Sequence, residues 1–572
     1  MRKLAPWIVF VAIVAVHLPL LSVSIFGYID DAFISFRYAE NLANGHGLVY
    51  NVGQRVEGYS NTLLVLVLAL LAKLGLTVHK AAAYVGVVFH AATVALALAY
   101  FRRVLSEPIL RPFPMLGLVF LTVHPITIAY AEAGMEATMA AFWLLAAVYL
   151  TTIAVERGKA PLPAAGAALA TFALALTRPE GISMAAPLGL WLLLGKREGR
   201  WGRAFVYGAL TAALYGAFLL WRHSYFGYWQ PNTYYAKAAG AGMDLIVMGL
   251  DYLWRFTNVT LLPYLLLPVL ALLAAQRVRM PDWWFGVLGA TLVYLAAIVW
   301  VGGDHFPLSR FLVPVAPLLL VLLAEGARRL RDAINAKHPN IAELRLRPAA
   351  WVSIALFIPV SIFFGMMFRN EGLIYAGQVK KAETWCSIGK KMAQAYDGDT
   401  SLGLIPIGAI GYCSKLPIVD LVGLTDAHIA HAETDLSRSM AGHGRYDSEY
   451  VLTQAKPKIV MGMVDIAPEP IPEWFVRRAL YHQPIKDLVG RRQFIDDYAY
   501  HRMQWGSVYF HYWSRRDFEP LEQNPGEYPV PGIASRLPER EPLAGGTLWE
   551  KAFGKREAPE PEFEVPDDWE VW

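Results

Sequence analysis

Asn61-Thr-Leu-Leu-Val-Leu-Val-Leu-Ala-Leu-Leu-Ala-Lys73-Leu-Gly75-Leu76 is the stretch on which the fold turns, because counting it as a membrane crossing inverts everything after it. It is apolar but interrupted by Lys73 and Gly75. Runs long and apolar enough to span a bilayer lie near residues 7–27, 82–100, 113–130, 137–155, 160–177, 181–195, 204–222, 257–275, 283–301, 307–325 and 349–368. If residues 61–76 stay on one side as a juxtamembrane or re-entrant helix, Arg2 and Lys3 share a side with five groups of basic loop residues. These are Arg102, Arg103 and Arg111; Arg157 and Lys159; Lys196, Arg197, Arg200 and Arg203; Arg277 and Arg279; and Arg328, Arg329, Arg331 and Lys337. The opposite parity puts nearly every basic cluster outside, against the bias that governs loop translocation. The expectation is eleven crossings, with the N-terminus cytoplasmic and the C-terminus outside. The run at 7–27 is longer than the apolar core of a signal peptide and many spans follow it, so it reads as an uncleaved first helix.

Of the 572 residues 56% are hydrophobic and 17% charged, so the bilayer rather than a single soluble core is the main solvent. A net charge of +4, with no basic run interleaved with aromatics, argues against a nucleic-acid partner. The hydropathy changes beyond Arg369. Residues 1–369 read as the transmembrane part, 370–518 as an extracytoplasmic α/β domain, and 519–572 as a tail rich in Pro and Glu with little packed structure. Within the α/β part, Gln378–Tyr396 and Tyr446–Gln454 look helical; Ser401–Ile407, Leu416–Val422 and Pro457–Val464 look like strands. Cys386 and Cys413 both lie there, where an oxidising compartment permits a disulfide whose geometry sequence does not supply.

On this topology the polar loops converge on the outer side. Tyr28-Ile-Asp30-Asp31-Ala-Phe-Ile-Ser-Phe-Arg37-Tyr38-Ala-Glu40 follows the first span directly, and ionisable groups at that depth are costly unless paired or functional. Its acids also suit a helix start, where they complement the dipole. Gly45 to Asn61 has glycines at turn positions and can present Arg55, Glu57 and Tyr59 to a ligand, or form a surface hairpin. Glu132 and Glu136 flank Gly134-Met135, four residues apart, and are expected on one helical face. Thr177-Arg178-Pro179-Glu180-Gly181 is a charged break between apolar runs, in which Arg178 and Glu180 either pair or meet a ligand. Gly302-Gly303-Asp304-His305 with Arg310 offers too few ligands for a closed metal site, so no metal centre is expected and no cofactor is certain; a divalent cation is left open.

Together these motifs resemble the GT-C superfamily of membrane glycosyltransferases that use polyprenyl-phosphate sugars, and most nearly the terminal arabinofuranosyltransferases of mycobacterial cell-wall synthesis. The resemblance covers roughly residues 28–325. It rests on Asp30-Asp31-Ala-Phe-Ile-Ser-Phe-Arg37-Tyr38, Gly45-His-Gly-Leu-Val-Tyr-Asn51, Arg55-Val-Glu57-Gly-Tyr59, Gly134-Met-Glu136, Thr177-Arg178-Pro-Glu180-Gly181, Pro231-Asn232-Thr-Tyr-Tyr235-Ala-Lys237, and Gly303-Asp304 with Arg310. Gly408-Ala-Ile-Gly411-Tyr412 and Asp420-Leu-Val-Gly423-Leu-Thr-Asp426 are similar to segments of related outer domains. The resemblance implies a polytopic GT-C-like helical fold in a bacterial cytoplasmic membrane and an acid just after the first span, Asp30 or Asp31, that serves transfer. It further implies a polyprenyl-phosphate-linked sugar donor, with D-arabinofuranose as one sugar, and a glycan, lipid-linked saccharide or protein as acceptor. Arg37, Tyr38, Arg55, Glu57, Tyr59, Asn61, Glu132, Glu136, Arg178, Glu180, Asn232, Tyr235, Lys237, Asp304, His305 and Arg310 are the residues expected to contact substrates. The rival class is a transporter or lipid flippase, which should carry ionisable residues at mid-membrane and broken helices along a path.

Overall fold

The chain is seen in a computed structural model that describes residues 27–105, 117–118, 120–122, 124–237, 242–260, 270, 273, 277–304, 306–337, 371–434, 444–462, 469–480, 482–505 and 508–518. Helix α1 (Asp30–Ala43) starts with Asp30 and Asp31 in its first turn and is followed by α2 (Thr62–Lys73) and α3 (Val78–Val104). Next come α4 (Pro125–Glu132), α5 (Ala137–Arg157), α6 (Pro161–Thr177) and a 3-10 turn (Pro179–Met184) running into α7 (Ala185–Leu194). Then follow α8 (Arg200–Phe226), α9 (Asn232–Lys237), α10 (Gly242–Thr260), α11 (Asp282–Trp300), and a 3-10 turn (Pro307–Val315) that continues as α12 (Ala316–Lys337).

Five helical stretches among the described residues are long and apolar enough to cross a membrane: α3, α5, α8, α11 and Pro307–Ala333. They contain the expected spans at 82–100, 137–155, 204–222, 283–301 and 307–325. The expected spans at 160–177 and 181–195 are shorter helices. Spans 7–27 and 349–368 lie outside the described residues, as do part of 113–130 and most of 257–275. Helix α10 was not expected where it stands, for the most apolar window begins near its end. On α8 the side chains of Phe205 and Leu220 are 74% and 64% exposed, which water penalises and lipid does not. The chain is an integral membrane protein.

The ends of the bundle differ in charge. Lys159 pairs with Glu198 at 3.0 Å, Lys196 with Asp282 at 3.1 Å, Arg103 with Glu156 at 2.5 Å, and Arg329 donates to the Arg279 carbonyl. These contacts gather the basic loops at one end. At the other end the Tyr28 hydroxyl donates to the His79 carbonyl, and Asn61 Nδ2 donates to Glu136 Oε2 at 3.0 Å. The chain therefore enters α1 and enters α3 at the same end, and α2 between them begins and ends at that end of the bundle. Its 12 residues reach about 18 Å at 1.5 Å per residue, short of a hydrocarbon core of about 30 Å.

Residues 371–395 form helix α13. After it come β1 (Leu402–Leu404), α14 (Gly408–Ser414), β2 (Ile418–Asp420), α15 (Ala427–Ala430), α16 (Ser448–Tyr450), β3 (Ile459–Val460), α17 (Glu473–Ala479), α18 (Gln483–Gly490), α19 (Arg492–Asp497), β4 (Tyr498–Trp505) and β5 (Val508–Arg515). The sheet order is β2-β1-β3-β5-β4, with β1 parallel to β2 and β3, and β5 antiparallel to β3 and β4. The expected helices and three strands recur with shorter strands, and the β4–β5 hairpin is an addition. Cys386 on α13 and Cys413 on α14 form a disulfide with Cα atoms 5.2 Å apart.

The sheet is not a separate appendage. Ile29, Phe36 and Tyr38 of the α1 region share one core with Leu402, Leu404, Ile418, Ile459 and Phe510. Two glycines make this contact. A Cβ on Gly408 would lie 1.9 Å from the Asp30 carbonyl oxygen, and one on Gly411 would lie 2.0 Å from the Tyr50 hydroxyl. Only a bare backbone lets α14 approach α1 so closely.

Candidate active site

Consecutive antiparallel helices bring the start of α5, the break after α6 and the turn before α12 to the end opposite the basic loops, and α1 begins there too. Pro179 cannot extend α6, so Arg178 stands extended between α6 and the next turn with its side chain turned inward. Its Nη1 donates to Glu136 Oε1 at 2.8 Å and its Nε pairs with Glu180 Oε1. The three side chains are 5 to 7% exposed. Glu136 continues the chain of bonds through Asn61, which accepts from Ser35 Oγ at 3.1 Å.

Beside this network lies a second. Arg310 Nη2 is 3.2 Å from Asp31 Oδ2 and 3.3 Å from Asp304 Oδ1, and its Nε pairs with Asp304 Oδ2. Its guanidinium also faces the rings of Phe306 and Phe311. Arg310 is aimed by a strained turn: Leu308 and Ser309 take φ of 61° and 46°, left-handed values that only glycine adopts without strain. The turn is held where Leu308 N donates to Glu371 Oε2 at 2.9 Å and the Tyr130 hydroxyl donates to the Pro307 carbonyl. Neither Glu371 nor Tyr130 stands in a motif. Within this pair of networks the Asp31 side chain is 24% exposed against 4% for Asp304, so Asp31 is the more accessible of the two acids.

Asp30 faces the other way. Its two oxygens accept from Gly408 N at 3.0 Å and Ala409 N at 2.7 Å. Burial pushes its carboxyl up to about 7, against the pull of those amides. Arg37 is likewise occupied, donating to the carbonyls of Tyr50 (2.7 Å), Gly411 (2.6 Å) and Leu416 (2.8 Å) and to Asn51 Oδ1 (3.3 Å). The Tyr38 hydroxyl bridges Val56 O and Gly58 N. These three residues clamp the 45–61 loop and the sheet to α1.

Glu57 meets Arg222, whose Nε is 2.9 Å from its Oε2, at exposures of 1% and 3%. Arg222 was not anticipated, although a charge at the end of the 204–222 apolar run was the signal. Tyr59 packs edge-on against Tyr38, 4.6 Å between ring centres. Asn232 donates to the carbonyls of Gly423 (2.7 Å) and Leu424 (3.1 Å), and its own amide donates to Glu57 O at 2.9 Å. Arg55 lies exposed over the Tyr225 ring, and Lys237 is half-buried at the end of α9. Tyr235 contacts His431. Glu132 and Glu136 do not share a helical face: the chain turns at Gly134, φ 66°, between α4 and α5, where a Cβ would strike Phe36 and Tyr28. Glu132 is buried near Tyr28 and Tyr375. His305 lies outside the described residues. Among the described residues no group of three or more His, Cys, Asp or Glu side chains could hold a metal ion.

Residues 372–514 match a family described as a domain of unknown function, DUF8728. A curated relative, the terminal β-(1→2)-arabinofuranosyltransferase of Corynebacterium glutamicum, is 28% identical over 345 residues, 51% of this chain and 47% of that protein. The chain thus spans about half the length of that relative. The resemblance carried by the motifs from Asp30 to Arg310 is met by this match to a terminal arabinofuranosyltransferase. Among solved structures, ArnT from Cupriavidus metallidurans bound to undecaprenyl phosphate is 14% identical with a TM-score of 0.43, over 72% of this chain and 85% of its own. The oligosaccharyltransferase of Archaeoglobus fulgidus tethered to an acceptor peptide is 10% identical with a TM-score of 0.49, over 89% and 74%.

Proposed function

We propose that the chain is a membrane glycosyltransferase that moves a sugar from a polyprenyl-phosphate donor to an acceptor on the outer face of a bacterial cytoplasmic membrane. The observation behind this reading is Asp31, about a quarter exposed to solvent and held by the buried Arg310–Asp304 pair. In the reaction the acceptor oxygen attacks the anomeric carbon, the bond from that carbon to the phosphate oxygen breaks, and polyprenyl phosphate leaves with the electron pair. Asp31 takes the acceptor proton. Protonating Asp31 takes the Asp31–Arg310–Asp304 cluster from a net charge of −1 to neutral, which lessens its repulsion of the leaving phosphate. Arg55 and Lys237, which have no carboxylate partner among the described residues, are the cations that meet the donor phosphate. Asp30 and Arg37 hold the frame. D-arabinofuranose is the sugar favoured by the curated relative's name. Transport is the weaker reading, since the carboxylates and arginines of the two networks, Asp31, Glu136, Arg178, Glu180, Asp304 and Arg310, sit at helix ends.

The outer placement rests on the basic loops gathered at one end, which the positive-inside bias assigns to the cytoplasm, and on the Cys386–Cys413 disulfide, which suits an oxidising compartment. A reporter fused after Arg331 should be cytoplasmic and one fused after Arg369 external. Both on the same side contradicts the orientation. Transfer is tested by membranes carrying the chain, which should incorporate label from a polyprenyl-phosphate sugar into saccharide. Membranes that leave the donor intact contradict it.

A further inference from the structure

A cavity of about 640 Å³ lies away from Asp31, between the loop after α8 and helices α15 and α16; Tyr228, His428, His431, Ser448, Glu449 and Arg491 are among its lining residues. That volume is in the range of about 300–1,000 Å³ usual for small-ligand sites. His431 Nδ1 donates to the Ala427 carbonyl at 2.8 Å, which leaves Nε2 as an acceptor. The rings of Tyr228 and Tyr235 lie 4.8 and 4.4 Å from that imidazole. His428 Nε2 meets Asp447 Oδ2 at 2.9 Å and stacks on Tyr450 at 4.0 Å. The carboxylates of Glu433 and Glu449 are exposed and have no ion-pair partner among the described residues. Ser448 is 3% exposed, yet its hydroxyl has no hydrogen-bond partner among them. A buried hydroxyl in that state points to a ligand that supplies the bond.

The lining is rich in acceptors and flanked by exposed aromatic rings, Tyr228 at 38% and Trp229 at 49%. Three acids stand against one arginine, itself 3.1 Å from Asp487, so an anion is disfavoured. Hydroxyls donate to carboxylates and to an imidazole nitrogen, while the C–H face of a sugar ring lies on tyrosine. The cavity is tied to the site above, because Asn232 joins the Glu57 backbone to the Gly423–Leu424 carbonyls, and Asp426 both caps α15 and accepts from the Tyr450 hydroxyl. We propose that this cavity is a saccharide subsite, holding sugar residues of the acceptor remote from the reacting hydroxyl. It rests on the glycosyltransferase reading and makes the acceptor a glycan, whose remote residues would supply binding that positions the reacting end.

The test uses the full chain in lipid nanodiscs, titrated with a neutral arabinofuranose tetrasaccharide, with maltotetraose, and with tetralysine. A neutral saccharide should bind saturably, and His431→Ala and Glu449→Gln should each weaken it about tenfold, or 1.4 kcal/mol, while binding of polyprenyl phosphate and the unfolding midpoint stay put. Unchanged saccharide affinity in both variants overturns the proposal, as does binding of tetralysine without binding of either saccharide. Label transfer by the wild type is a separate readout: its absence strikes the enzyme reading, whereas the saccharide titration strikes the subsite alone.

Discussion

Asp31→Asn is expected to lower turnover by about 10²- to 10⁴-fold while donor binding survives, the size usual for loss of a positioned general base. Asparagine keeps the size of the side chain and an oxygen for Arg310 but has no basic lone pair. The neighbouring change should behave differently. Asp30 already gives both oxygens to the amides of Gly408 and Ala409, so Asp30→Asn keeps one of two bonds and costs about 1 kcal/mol of stability. It should also alter pH dependence. Because burial raises the folded carboxyl to about 7, the folded state holds its proton more tightly than the unfolded one. Stability from this group is then greatest below its ordinary value near 4 and is lost as pH rises towards 7. Asp30→Asn should flatten that slope. Wild-type turnover in a stable Asp31→Asn protein removes Asp31 from the chemistry.

Arg310→Met carries the second large effect. Arg310 pairs with Asp304 at 4% exposure, so removing it breaks a buried ion pair and should cost about 3–5 kcal/mol. Adding Asp304→Asn should recover most of that stability, since a neutral amide needs no counter-charge, but not the transfer activity. The check is thermal unfolding of both proteins in nanodiscs beside label transfer. A single variant as stable as the wild type contradicts the role given to the pair.

That the 61–76 helix begins and ends at one end of the bundle was legible because charge bias acts on every loop at once, and the break at Arg178 because Pro179 cannot continue a helix. The pairings were not. Nothing in adjacent acids tells which meets an arginine 279 positions away and which meets a glycine turn 378 positions away. Gly408 and Gly411 read as a motif without a meaning until α1 is packed on them. The β4–β5 hairpin escaped for a related reason: Phe510 to Ser514 are buried consecutively in a strand paired on both sides, so no alternation marks it. Helix α10 was hidden because Asp244, Asp251 and Arg255 dilute its apolar face.

The most direct test is a single-turnover reaction with purified chain, a labelled polyprenyl-phosphate arabinofuranose and a neutral arabinofuranose oligosaccharide, the wild type run beside Asp31→Asn. The account predicts equal amounts of lengthened oligosaccharide and free polyprenyl phosphate from the wild type, and a rate at least about a hundredfold lower from the variant. A wild-type protein that leaves the donor chemically intact, yet carries it from one leaflet to the other, would show a transporter and contradict the account.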